Sequence, residues 1–121
     1  MHETARERVW IALSDLYLDT DIDALIAPCA RVLAASPFSR DELAQLLFED
    51  VHPVLAYNLA ASAGVWEGFD HQWLCARIHA RAQGWHARMR PSWWFGRREM
   101  RRRWSQVDAI IAALRSHAAS P

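Results

Sequence analysis

A chain of 121 residues is too short to build two independent cores, so one domain spanning 1–121 is expected, and 52% hydrophobic with 23% charged residues excludes a disordered chain. The formal charge of zero, with a pI near 7, argues against a domain built chiefly to hold nucleic acid. It conceals a division: residues 1–70 carry 12 acids and 4 arginines, residues 71–121 carry 10 arginines and 2 acids, and no lysine occurs anywhere.

No run of about 18 apolar residues exists, so no membrane span is expected. Cys29 and Cys75 sit in apolar surroundings with no secretory leader pattern before them, which predicts reduced thiols and a cytoplasmic setting.

In chain order, the spacing of Val9, Trp10, Leu13, Leu16 and Tyr17 predicts a first helix from about Thr4 to Asp19. Asp15, Asp19, Asp21 and Asp23 then form a local acidic patch. Thr20 with Asp23 three residues on resembles a capping box for a second helix reaching about Ala35. Pro28 inside that pattern means either a late start or a kink.

Ser39 with Glu42 is a better capping box, opening a third helix with the stripe Leu43, Leu46, Leu47 and Val51. The residue before a proline is pushed away from helical geometry, so a break is expected at His52–Pro53, with a short helix restarting and stopping near Gly64. Asp70 caps a fifth helix with Leu74, Cys75, Ile78 and Ala82 inward and Gly84 at its end, leaving Trp66 and Phe69 to plug the connection. The last helix starts either at the Ser105/Asp108 pair or as a continuous rod from about Arg97; residues 1–3 and 118–121 are expected to fray.

The result is an all-α bundle of five or six short helices. The core is expected to hold Trp10, Leu13, Leu47, Leu55, Leu59, Trp66, Trp73, Leu74, Ile78, Ile111 and Leu114.

Four clusters bear on chemistry. His71, Cys75 and His79 fall at four-residue spacing, the register of metal ligands on one helix, yet no second pair supplies the rest of a coordination shell, so no metal or other cofactor is expected. Glu49, Asp50 and His52 contain a base with carboxylate neighbours. No nucleophile elbow, zinc-protease or phosphate-loop motif accompanies them, so a non-enzymatic protein is expected. Trp93, Trp94, Arg97, Arg98, Arg101, Arg102 and Arg103 combine guanidinium with aromatic rings, the ingredients of nucleic-acid binding; otherwise these arginines pair with the acids of the first half. Asp15, Tyr17, Asp19, Asp21 and Asp23, with Glu49 and Asp50, form an acidic face fit to steer and anchor a basic protein partner.

The segments WIALSDLYLDTDID, ARVLAASPFSRDELAQLLFEDVHPV, NLAASAGVWEGFDHQWL and GRREMRRRW resemble an uncharacterised family of small bacterial proteins, a domain of unknown function of about this length. The matching positions are Trp10, Ser14, Asp15, Leu18, Asp19, Thr20, Pro53, Asn58, Leu59, Gly64, Trp66, Gly68, Phe69, Asp70 and Trp73, while Val65 stands where the family pattern carries glutamate. In character the family is similar to immunity proteins of interbacterial toxin systems. The resemblance therefore implies an immunity protein that neutralises a cognate toxin domain by occluding its active site, with the acidic face as the contact. The alternative is a nucleic-acid-binding regulator using the Arg/Trp-rich segment 93–104.

Overall fold

A computed structural model describes residues 4–18, 21–56, 68–82 and 96–119. Among these residues the chain is helical without a strand: α1 Ala5–Ser14, a 3₁₀ turn Asp15–Tyr17, α2 Ile22–Ala34, α3 Arg40–Gln45, a π turn Leu46–Val51, α4 His52–Leu55, α5 His71–Ala82 and α6 Arg97–Ala119. The third, π and fourth segments follow one another without a gap, so the described residues form five helical rods, and the fold is the expected all-α bundle.

Capping chemistry fixes where rods begin. Ser39 accepts from the Glu42 amide (3.1 Å) and donates its own amide to Glu42 Oε1 (2.8 Å), the full predicted box. Thr4 and Glu7 form a second box at the start of α1, a T-x-x-E signal that sequence reading passed over. Asp70 Oδ1 accepts from the Trp73 amide at 2.8 Å, opening α5 as expected. Asp21 stands at the N-cap of α2 without a side-chain bond, and Thr20 lies outside the described residues.

The first helix ends earlier than its periodicity suggests. Leu16, Tyr17 and Leu18 are all buried, and three successive buried residues cannot lie on one face of an α-helix at 100° per residue. Tightening to a 3₁₀ turn and then extending at Leu18 carries all three into the core. Pro28 lies well inside α2, not in its first turn; Ala24 and Pro28 are exposed, so the carbonyl that the proline cannot serve faces water.

The predicted break at His52–Pro53 does not occur. The helix passes through by widening: the His52 amide donates to the Leu47 carbonyl, five residues back. Pro53 has no N–H for the Glu49 carbonyl four residues back, and its ring would crowd that oxygen in an α turn. The wider π turn separates them, and Arg81 Nη1 donates to the Glu49 carbonyl instead (3.4 Å).

The most extensive helix contact is α2 against α6. The negative charge of Asp23 acts on Arg102 near both N-termini, and Arg115 reaches the carbonyls of Leu33 and Ala34 near both C-termini, so the two rods run parallel. Arg115 also donates to the Ser36 and Phe38 carbonyls (3.2 and 2.7 Å), satisfying the acceptors left where α2 stops. Of the two starts foreseen for the last helix, the continuous rod from Arg97 is the one present. It runs through Ala118, placed among fraying residues by the sequence, to Ala119.

Trp10, Leu13, Leu47, Leu55, Leu74, Ile78 and Ile111 are buried as expected. Trp73 (39% exposed) and Leu114 (37%) are not: Trp73 lies on the outer side of α5, stacked on Phe69 with Arg77 over its ring, and Leu114 faces outward on α6. Met100 and Val107 of α6 fill that helix's share of the core with Ile111. Leu59, Trp66, Gly64 and Gly84 lie outside the described residues.

A candidate partner-binding groove

Of the described acidic residues, Glu49 and Asp50 line a groove whose walls do not include Asp15, Asp21 or Asp23. Tyr17, expected as an aromatic anchor for a partner, is fully buried, and its hydroxyl lies 2.8 Å from His52 Nδ1. The 3₁₀ turn swings it inward, and burial pushes its phenol well above the ordinary value of 10. Asp15 is half-buried; loss of water raises its carboxyl above the ordinary 3.8, with the nearby His71 pulling in the opposite direction. Asp21 and Asp23 remain exposed at the start of α2, and Asp19 lies outside the described residues.

Glu49 and Asp50 belong to a different place. They line a groove of about 200 Å³ together with Arg6, Phe38, Glu42, Gln45 and Leu46. Glu42 and Gln45 of α3 and Leu46, Glu49 and Asp50 of the π turn share this side of the rod. Phe38, half-buried before α3, and Arg6 of α1 complete the lining.

The groove acids are held to different degrees. Glu42 Oε1 is engaged by the Ser39 amide, and that bond holds its carboxyl below the usual range. Asp50 Oδ2 accepts the Trp10 indole N–H at 3.0 Å. Trp10 meets the His79 ring edge-on (centroids 5.0 Å apart, planes at 74°), and His79 Nε2 lies 3.5 Å from Glu7 Oε2. Glu49 is exposed, while its backbone carbonyl takes Arg81. Two carboxylates from one helical turn, backed by an aromatic wall, suit a guanidinium or ammonium group from outside.

The cluster Glu49, Asp50 and His52 is not an assembled base. His52 is buried against Tyr17 and Phe48 (ring centroids 5.7 and 6.1 Å), while Asp50 faces Trp10. Nor do His71, Cys75 and His79 converge. His71 is exposed, Cys75 is buried and His79 packs on Trp10, and among the described residues no three metal-ligating side chains come together.

The arginine run of α6 is largely engaged within the fold. Arg102 and Arg103 both pair with Glu99 (2.6 and 3.1 Å), Arg103 also donates to the Leu16 carbonyl, and the Arg97 guanidinium lies 5.1 Å from the Phe48 ring. Arg98 and Arg101 are exposed; Trp93 and Trp94 lie outside the described residues. Among the described residues Arg102 and Arg103 take Glu99, an acid of the second half, and Asp23 of the first half adds its charge near Arg102.

Arg6, Phe38 and Glu42 escaped the sequence reading of the groove. The i, i+7 relation of Glu42 to Glu49 was there to find, whereas Arg6 and Phe38 are brought in by tertiary packing. No helix among the described residues is long and apolar enough to cross a membrane. No curated protein and no solved structure matches the chain. The family model of the domain of unknown function DUF7079 matches residues 4–110, nearly the whole chain, and the protein belongs to that family.

Proposed function

We propose that the protein is a non-enzymatic immunity protein, which binds a cognate interbacterial toxin domain and occludes its active site. The observation that carries this reading is the groove in which Glu42, Glu49 and Asp50 stand together beside Phe38, with one cation, Arg6, in the lining. A toxin that handles nucleic acid presents a basic cleft. Neighbouring carboxylates on one helix turn satisfy its arginines or lysines while the surrounding surface excludes its substrate. Asp21 and Asp23, exposed on α2, add negative field that steers the encounter.

Arg98 and Arg101, exposed on α6, support the alternative, a nucleic-acid-binding regulator. Against it stands the engagement of Arg97 with Phe48 and of Arg102 and Arg103 with Glu99.

The test is co-expression with a toxin-bearing protein encoded beside this gene, reading growth protection and affinity. Glu49→Lys with Asp50→Lys is expected to weaken binding by about 100-fold, the scale of one or two lost charged contacts, and to abolish protection. Undiminished binding by the double variant would remove the groove from the reading. Binding to DNA or RNA that falls steeply with salt, lost on Arg98→Glu with Arg101→Glu, would favour the alternative.

A further inference from the structure

Glu49 and Asp50 are not held by their own helix alone. The turn that bears them is the π turn, the least regular part of the rod, and it is fastened from two sides. From α1, the Trp10 indole donates to Asp50 Oδ2 (3.0 Å); from α5, Arg81 Nη1 donates to the Glu49 carbonyl (3.4 Å). The two fastenings are joined through His79, which packs edge-on against Trp10 and pairs with Glu7. His79 and Arg81 are two residues apart on the last turns of α5. A movement of α5 is therefore felt by both carboxylates at once, at Glu49 through its backbone and at Asp50 through the indole.

We propose that Arg81 and His79 are positioning residues for the groove, and that α5 sets the placement of Glu49 and Asp50. The π turn is the element with two arrangements. With Arg81 on the Glu49 carbonyl it keeps the wide geometry; with Arg81 withdrawn, nothing from α5 compensates that carbonyl for the N–H that Pro53 lacks, and the turn loosens. Whatever displaces α5 then changes the groove's affinity for a cationic side chain, and a cation seated in the groove stabilises α5 in return. The positioning stands on the contacts just described, whereas its meaning for binding rests on the groove being the partner site.

The experiment uses the full chain and reads single sites by nuclear magnetic resonance. Arg81→Met should speed hydrogen exchange of the His52 amide, the donor of the five-residue bond, by about fivefold, and move the Trp10 indole signal. The Val107 and Ile111 amides of α6 should stay unchanged. Arg81→Lys, which keeps a donor, should recover most of the protection. His79→Gln, on the other fastening, should move the Trp10 indole signal and leave His52 exchange near normal. Methylguanidinium chloride, titrated against sodium chloride at equal ionic strength, is the probe of the groove. Its half-saturation, read at the Glu49 amide, should rise about fivefold in Arg81→Met. Exchange that is unaltered, that rises equally across α6, or that Arg81→Lys fails to recover overturns the positioning role. A wild-type chain that ignores methylguanidinium, while Arg81→Met still frees His52, overturns the groove reading and leaves the positioning intact.

Discussion

Tyr17 and His52 meet where solvent does not reach, 2.8 Å apart, with Phe48 against the imidazole and the Arg97 guanidinium over Phe48. A buried polar pair of this kind contributes modestly while intact and costs more when half of it is removed, because the remaining group has already lost its water. Tyr17→Phe is therefore expected to lower stability by about 1–2 kcal/mol in urea denaturation, with the fold retained. Asp15 gives a prediction of opposite sign. Burial raises its carboxyl in the folded state, so folding favours the neutral acid, and stability present below the ordinary value of 3.8 is lost as pH rises through the raised one. Asp15→Asn should stabilise the protein at neutral pH, and the gain should vanish in a denaturation series carried below that ordinary value. Cys29, whose thiol burial pushes up to about 12, should resist alkylation in the native protein at about pH 8 and react once unfolded.

Between elements, arginine joins the rods. Arg115 donates to four carbonyls around the end of α2, a task that needs the planar fork of guanidinium; Arg115→Lys should recover little of the roughly 2–3 kcal/mol expected to be lost in Arg115→Ala, measured by thermal and urea unfolding. Arg40 and Asp108 make a two-bonded pair (2.6 and 2.8 Å) between α3 and α6, but Arg40 is exposed, so water and salt screen the pair. The arginine holds the Asp108 carboxyl below its ordinary 3.8, so this contribution is present above that value and fades as pH falls through the lowered one. At this scale the sequence was legible wherever a local rule acted alone. The Ser39 and Asp70 caps and the Leu43, Leu46, Leu47 and Val51 stripe follow from residues within one or two turns of each other. Tyr17 and the His52–Pro53 passage were misread because packing against other elements overrode the local preference, tightening one turn and widening the other.

Over the whole molecule, the division into an acidic first half and a basic second half only partly survives folding. The parallel packing of α2 on α6 brings the charges of Asp23 and Arg102 together, whereas the groove acids on α3 and the π turn share their groove with one arginine, from α1. Glu49 and Asp50 line the groove, and Tyr17, expected as an aromatic anchor, is buried. Periodicity in sequence tells which side of a helix is apolar; it does not tell which rods become neighbours, so Arg6 and Phe38 could not be assigned to the groove beforehand. If the groove steers a basic partner, the association rate should fall several-fold between about 50 and 200 mM salt in stopped-flow mixing, and Glu49→Gln should flatten that dependence.

The π turn also bears on chain length. A turn closed by five-residue bonds holds one residue more than an α-helix joining the same ends, so the Arg40–Leu55 rod behaves as a straight helix into which a single residue has been inserted. Removing one residue there is not equivalent to removing one elsewhere. Deletion of the exposed Glu49 in a Pro53→Ala background should let the rod close as continuous α-helix with Leu43 and Leu55 still facing inward, and the protein should fold. Deletion of Ala109 from the middle of α6, where no spare residue exists, rotates every following side chain by about 100° and should abolish folding. Circular dichroism and thermal melts of the two deletion proteins distinguish these outcomes.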